Sequence, residues 1–177
     1  MSDFAARFTD LILADEYNIL AVKELDELWN KMKESRCVEL LAFALMGNHF
    51  HIAVHALKDS GIATYLQRVQ NAYTKYFNIK HDRTGHLFQG PYKVVHQPDD
   101  ERLMMLTAYI HHNPNEVLDS RAEVEAFKWS SYQDYHNNNR WGELLKPEIV
   151  LEQFSNPAEY LEFVNDGNVK STPSVDK

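Results

Sequence analysis

Two apolar runs separated by Gly47-Asn48 constrain the fold of this 177-residue chain more than any other feature. Residues 37–46 and 49–57 each have the length of one strand, and a Gly-Asn pair between such runs indicates a tight turn. The pattern therefore predicts a β-hairpin. Because residues i and i+2 of a strand share one face, His49 and His51 should lie side by side at the start of the second strand. The residue between them should turn into the core.

The apolar pattern of the remaining chain predicts alternating helices and strands. Helical spacing covers residues 22–35 and 62–77, and a third helix should begin at Asp99 or Asp100 and end at Asn113, before Pro114. A further strand is predicted at residues 87–96, and residues 8–14 could supply another. This order is typical of an α+β fold, namely a ferredoxin-like (RRM-like) antiparallel sheet with helices on one face. Many unrelated functions use that fold, so it indicates none of them.

The region beyond Pro114 is predicted to be a helical extension. Short helices are expected near residues 131–135, 148–154 and 157–166. The last ten residues lack apolar content and are expected to be disordered. We therefore expect one domain over residues 1–115, an extension over 116–167 that packs on it, and a tail over 168–177.

Charge and composition limit the possible partners. The net charge of −8 argues against tight nucleic-acid binding, yet residues 61–96 carry five cationic side chains against one acidic side chain. We expect no membrane span and no secretory signal, because no apolar run is long enough and the first residues lack a basic segment. The single cysteine, Cys37, excludes an intrachain disulfide, and a cytoplasmic location is expected.

Four side chains together indicate phosphodiester chemistry. Tyr109 and Asn113 are four residues apart and share a helix face. With His49 and His51 they supply two imidazoles, an amide and a phenol, which suffice for metal-assisted attack by tyrosine on a phosphodiester. Taken alone, each piece is weak, because a His-x-His pair is more often structural and a lone tyrosine more often packs in the core.

The sequence around these residues resembles a known family. Four motifs occur in the family's order and cover roughly residues 37–135: Leu45-Met46-Gly47-Asn48-His49-Phe50-His51, Arg83-Thr84-Gly85-His86-Leu87-Phe88-Gln89-Gly90, Tyr109-Ile110-His111-His112-Asn113-Pro114 and Trp129-Ser130-Ser131-Tyr132. They resemble the motifs of the HUH single-tyrosine transposases. Within that family the chain is most similar to the branch associated with repetitive extragenic palindromes.

The resemblance implies a role for each side chain. Tyr109 would be the nucleophile, and His49, His51 and Asn113 would bind a divalent metal, Mg²⁺ or Mn²⁺. The substrate would be single-stranded DNA beside a hairpin, and attack would leave a 5′-phosphotyrosine and a free 3′-hydroxyl. The candidates for phosphate contact are Arg68, Lys75, Arg83, His86 and Lys93. Tyr92, Tyr73 and Phe88 are candidates for base stacking, although helical spacing favours a core position for Tyr73, and His111 and His112 are expected at the rim.

Two departures from the family pattern leave alternatives open. The family's first-strand motif is absent, since only residues 8–14 could supply that strand, and Pro91 stands where many relatives have arginine. One alternative is a relative that binds hairpin nucleic acid, as a repressor would, without cutting it. Another is a hydrolase whose histidine-bound metal activates water. The sequence also leaves open whether the protein is a monomer or a homodimer that shares its catalytic helices.

Overall fold

A computed structural model describes residues 30–166, except Met32 and Asp119. The chain divides into two units, Met1–Arg36 and Cys37–Lys177. In the first unit, residues 30, 31, 33 and 34 are helical, as predicted for the end of the helix over 22–35. The rest of that helix, the predicted strand over 8–14 and the predicted disordered tail lie outside the described residues.

The predicted hairpin is confirmed. Strand β1 (Val38–Leu45) pairs antiparallel with β2 (Phe50–Ala56), and the Met46 N–H donates to the His49 carbonyl across the turn at 2.9 Å. The register places His51 opposite Ala44. The chain reverses at Gly47-Asn48, which brings the histidines to the turn end of the hairpin.

Helices complete an α+β fold, as predicted. Within the described residues from Cys37 onward, five α-helices have the bounds α1 Gly61–Lys80, α2 Asp100–His112, α3 Arg121–Glu125, α4 Glu148–Leu151 and α5 Pro157–Asn165. Single 3₁₀ turns cover Asn113–Glu116, Tyr132–Tyr135 and Gly142–Leu144. Within the described residues the sheet has two strands, and helices pack on it.

Helix α1 runs from the open end of the hairpin back to its turn end. Its first residue, Gly61, lies so close to Cys37 that a Cβ atom there would collide with the Cys37 carbonyl. Near its other end, the Tyr73 ring lies 6.2 Å from Phe88, which in turn lies 6.1 Å from Phe50 of β2. The second half of α1 therefore lies at the turn end of the hairpin, on the face of β2 that carries Phe50 and opposite the face that carries His51. Phe50 packs half-buried against Phe88 instead of entering the main core.

The ends of α2 follow the sequence signals. Asp99 is the N-cap, and its carboxylate accepts a hydrogen bond of 2.8 Å from the Arg102 N–H. At the other end Pro114 cannot continue the hydrogen-bond ladder, so Asn113 becomes the C-cap. Ile110 is buried on the core side of the helix, as its spacing predicts.

The predicted strand over residues 87–96 is wrong, because this segment forms no strand in the structure. Gly90 has φ +73°, a conformation outside the β region, and Pro91 has no N–H to donate to a neighbouring strand. Both residues interrupt the pairing that the apolar pattern favours.

The extension after Pro114 covers the second edge of β1. The Leu45 N–H donates to the Trp129 carbonyl, and the Ser131 N–H donates to the Phe43 carbonyl. The Lys146 N–H donates to the Leu40 carbonyl, and all three distances are 2.8–2.9 Å. A bulge in β1 lies between Leu40 and Ala42, and the Tyr135 hydroxyl donates to the Leu41 carbonyl there at 2.8 Å. Tyr135, Val150, Tyr160 and Val164 of the extension share one buried core with β1 and α2.

A buried ion pair holds the extension's first loop together. The Asp134 carboxylate is fully buried and accepts three bonds from Arg140, two from the guanidinium at 2.7 and 2.8 Å and one from its main-chain N–H at 3.0 Å. Arg140 also donates to the Ser130 carbonyl at 2.8 Å. This pair therefore fixes the loop that follows the edge of β1.

We expect Asp134→Ala to lower the free energy of unfolding by about 2–3 kcal/mol, because it leaves Arg140 without its buried partner. The matched control is Glu148→Ala, which breaks the exposed 3.4 Å pair with Lys146 and should cost less than about 1 kcal/mol. Urea unfolding of the two variants measures both values. Equal losses for the two variants would contradict the assignment of the Asp134 pair as a structural anchor.

Candidate active site

The structure brings together the four side chains that the sequence singles out for chemistry. The rings of His49 and His51 lie 5.1 Å apart, and the His51 ring lies 5.4 Å from that of Tyr109. His49 Nε2 lies 3.3 Å from the Asn113 side-chain oxygen. The hairpin turn and the end of α2, about 60 residues apart in sequence, thus form one cluster within a single chain.

Local structure explains this convergence. His49 and His51 follow the hairpin turn on one face, because the strand repeats every two residues. Tyr109 and Asn113 lie on successive turns of one helix face. Pro114 ends the helix at this point and is itself fully buried, which holds Asn113 at the helix terminus with only 3% of its surface exposed.

A hydrogen bond to Asn48 favours one tautomer of His49. The His49 Nδ1 lies 2.7 Å from the Asn48 side-chain oxygen and donates to it in the tautomer that carries the proton on Nδ1. In that tautomer Nε2 has a lone pair and lies 3.3 Å from the Asn113 side-chain oxygen, which is also an acceptor. A cation bound between these two atoms would satisfy both. Protein metal sites commonly orient a histidine ligand in this manner.

The spacing of these two atoms fits a metal ion. Two ligands at right angles, with bonds of about 2.1 Å to one ion, lie about 3 Å from each other. The cluster holds only two residues of the His, Cys, Asp and Glu types, and its third candidate ligand is an amide. Accordingly, the described part of the chain contains no group of three such residues placed to hold an ion. The donor set N, N, O fits a divalent cation with open positions for phosphate oxygens.

Tyr109 is half-buried and lies beside the histidines. Its ring packs on the apolar core on one side and meets the His51 ring edge-on, at an interplanar angle of 79°, on the other. A ring held on both sides loses little freedom when a substrate binds, which favours a reaction that needs accurate alignment.

All five residues predicted to contact DNA phosphates are exposed: Arg68, Lys75, Arg83, His86 and Lys93. Arg83 donates to the His86 carbonyl at 3.4 Å and lies over the Phe77 ring of α1 at 5.6 Å. Lys75 belongs to the same half of the helix as Phe77. These three residues therefore belong to the region around the second half of α1, toward the turn end of the hairpin.

Arg68 and Lys93 lie toward the opposite end of the hairpin. Arg68 donates to the Cys37 sulfur at 3.8 Å, just before β1 begins. The neighbours of Lys93, Tyr92 and Val94, line an open cavity of about 260 Å³ with Ala56. The length of an eight-residue strand, about 26 Å, separates this end from the turn.

An aromatic row, defined as Phe50, Phe88, Tyr73 and Tyr76, leads from the histidine strand to the surface. Each ring lies 6.1–6.3 Å from the next. The predicted core position of Tyr73 is wrong, because 40% of its surface is exposed, and Tyr76 is 38% exposed. The Lys80 ammonium lies 5.5 Å from the Tyr76 ring centre. The row thus presents flat apolar rings next to positive charge.

The prediction that His111 lies at the rim is also wrong. Its side chain is completely buried, with Nδ1 2.6 Å from the Tyr160 hydroxyl and Nε2 2.7 Å from the Ser131 hydroxyl. Burial lowers the pKa of His111 to about 3, with a smaller contribution from His136, so the ring is neutral. Burial likewise raises the pKa of Tyr160 well above its ordinary value. His112 is half-exposed, and its Nδ1 lies 2.9 Å from the Asn115 amide.

The sequence reasoning missed Asn48, Tyr160 and the polar contacts of Ser131. Asn48 directly precedes His49, and this adjacency was a signal for a supporting side chain. Ser131 lies in the Trp129-Ser130-Ser131-Tyr132 motif, whose pattern by itself assigns this serine no role. No local pattern distinguishes Tyr160, whose partner lies 49 residues away.

Comparisons with known proteins agree with the geometry at the level of family. The family described as Transposase IS200 like matches residues 16–113, more than half of the chain. Comparison with curated proteins and with solved structures gives no match. The matched region contains all four residues of the cluster and ends at Asn113. In the part of the chain that the structure describes, no helix has the length and apolar character needed to cross a membrane.

Proposed function

Because the chain belongs to the IS200-like transposase family, we propose that it cleaves and rejoins single-stranded DNA through Tyr109 with a divalent ion. The proposed ligands of that ion are His49, His51 and Asn113, and Mn²⁺ and Mg²⁺ are the candidate ions. The proposed substrate carries a hairpin, as in the branch associated with repetitive extragenic palindromes. The single observation that carries the proposal is the meeting of the nucleophile with two imidazoles and an amide oxygen.

The proposed reaction exchanges one phosphate ester for another. The Tyr109 oxygen attacks the scissile phosphorus, the bond to the 3′-oxygen breaks, and the phenol proton leaves to solvent while the 3′-oxygen gains one. The bound ion supplies charge neutralisation and orientation of the phosphate. Because the 5′-phosphotyrosine is still an ester, a 3′-hydroxyl can attack it and restore a phosphodiester without ATP.

The chain's own residues prepare this step. Asn48 keeps the proton on His49 Nδ1, which leaves Nε2 available as a ligand. The His51 ring lies between His49 and Tyr109, so a phosphate beside the histidines is also beside the phenol. Both ligand and nucleophile belong to the same chain, which favours cleavage in cis.

We further propose that the unpaired strand follows the aromatic row. Stacking of one base on an exposed ring contributes about 1–3 kcal/mol, and Tyr73 and Tyr76 are the most accessible members of the row. Lys75, Arg83 and His86 would contact phosphates near the cleaved bond. Arg68 and Lys93 would contact DNA farther away, toward the open end of the protein's β-hairpin. The net charge of −8 predicts weak binding at high salt.

We expect a covalent protein–DNA adduct when the protein is mixed with hairpin-bearing single strands and Mn²⁺ or Mg²⁺, and no adduct with excess chelator. The linkage is to the 5′-phosphate, so a 3′-labelled substrate should carry its label into the adduct. A 5′-labelled substrate should instead release a labelled fragment with a 3′-hydroxyl. Denaturing gels measure both products, and a strand of the same composition without the hairpin is the control substrate.

The alternatives predict different products. A hydrolase that uses water would cut both labelled substrates without attaching either to the protein. A binding protein would shift the hairpin on a native gel, with or without metal, and cut neither. Either result would reject the tyrosine mechanism.

A further inference from the structure

His111 connects the catalytic helix to the extension on the side opposite the candidate site. At 3.6 residues per turn, Tyr109 and Asn113 are about 40° apart around α2, and His111 is about 160° from each. Tyr109 and Asn113 face the hairpin histidines, whereas His111 is completely buried among the side chains of the extension. Any movement of His111 would therefore turn or shift both Tyr109 and Asn113.

The hydrogen bonds around His111 form one directed chain. The Phe43 N–H donates to the Ser131 oxygen at 2.8 Å, and the Ser131 hydroxyl donates to the Phe43 carbonyl at 3.2 Å. With that hydroxyl proton on the Phe43 carbonyl, Ser131 accepts from His111 Nε2–H at 2.7 Å. A neutral ring then accepts at Nδ1, so the Tyr160 hydroxyl donates to it at 2.6 Å. In this tautomer every proton has an acceptor.

This chain ends on the strand that supports the metal ligands. Phe43 pairs with Ile52 across the hairpin, and the next pair joins Ala44 to His51. Ser131 is therefore hydrogen-bonded both to the hairpin that carries the histidines and to the helix that carries the nucleophile. Ser131 and Tyr160 both lie beyond residue 113, where the family match ends.

We propose that His111, Ser131 and Tyr160 are positioning residues that set the separation between Tyr109 and the hairpin histidines. The helical extension, which supplies Ser131 and Tyr160, is then a required part of the active site. This inference rests on the proposed function for its catalytic consequence. The predicted effect on the position of Tyr109 beside His51 does not depend on the proposed function.

Tyr160→Phe is the first test, because it removes one hydroxyl and keeps the ring that stacks on Tyr135 at 4.7 Å. We expect the single-turnover rate of adduct formation to fall by about ten- to a hundredfold with unchanged affinity for the hairpin. The matched control is Tyr132→Phe, which removes a hydroxyl that accepts from Asn165 at 3.2 Å, within the extension. Its adduct rate should equal that of the wild type.

Variants at position 111 test the same chain by partial rescue. His111→Gln retains an N–H that can donate to Ser131, whereas His111→Leu retains neither bond. We expect the glutamine variant to react faster than the leucine variant when both are compared at equal folded fraction, as measured by circular dichroism. Equal rates for these two variants, or a wild-type rate for Tyr160→Phe, would overturn the positioning role.

A spectroscopic readout separates this inference from the proposed function. With 3-fluorotyrosine at position 109, the fluorine resonance reports whether the ring stays beside His51. We expect Tyr160→Phe to shift or broaden this resonance, and Tyr132→Phe to leave it unchanged. If the wild type forms no adduct, the proposed function fails, and this resonance alone decides the positioning role. An unchanged resonance in Tyr160→Phe would reject it.

Discussion

Tyr109→Phe is expected to abolish the covalent adduct and to leave DNA binding intact. The substitution removes only the oxygen that would attack phosphorus, and without that oxygen no ester to the protein can form. The phenylalanine ring can retain the packing on the core and the edge contact with His51. Folding and hairpin affinity should therefore remain near wild-type values.

The measurement is single-turnover adduct formation with 3′-labelled hairpin DNA, with affinity determined in parallel by native gels. The matched control is Tyr92→Phe, which removes one hydroxyl from an exposed tyrosine at the other end of the β-hairpin. The control should form adduct at the wild-type rate. An adduct from Tyr109→Phe at more than a trace level would assign the nucleophile to another residue.

His49→Ala is expected to lower the rate of adduct formation at least about a hundredfold at limiting Mn²⁺, since even the loss of a residue that supports a metal ligand costs about ten- to a hundredfold. The substitution removes the lone pair that faces the Asn113 oxygen at 3.3 Å. A weaker site needs more metal, so part of the rate should return as the Mn²⁺ concentration rises. His49 is exposed, and its loss should change the free energy of unfolding little.

His55→Ala is the matched control, because His55 lies on β2, the strand that His49 directly precedes, is 59% exposed, and pairs with Glu39 at the open end of the hairpin. We expect it to react as the wild type at every Mn²⁺ concentration. Titration of adduct rate against Mn²⁺ for the three proteins distinguishes a metal ligand from a general effect of a lost imidazole. The same metal dependence in wild type and His49→Ala would remove His49 from the ligand set.

Short-range signals predicted the local parts of this fold well. The Gly47-Asn48 turn, the Asp99 cap and the stop at Pro114 each act within a few residues, and the hairpin and α2 have the predicted locations. The prediction of a strand over 87–96 was wrong for an equally local reason, because Gly90 and Pro91 weaken strand pairing even within an apolar run.

Long-range packing explains the errors at individual side chains. Tyr73 has the spacing of a core residue, yet 40% of its surface is exposed, because its ring packs on Phe88, outside the main core. His111 looked like a surface residue in a histidine pair, yet it is buried because the extension folds over that face of α2. Periodicity reports which residues share a face and not what covers the face.

The sequence by itself determined which chemical groups are present and which of them share a strand or a helix face, because those relations depend on backbone repeats of two or 3.6 residues. Only the tertiary structure decided that the His49 nitrogen meets the Asn113 oxygen, and that His111 joins Ser131 and Tyr160 behind the same helix. These contacts span 20 to 64 residues. They depend on how the strand, the helix and the extension pack together, which no local pattern encodes.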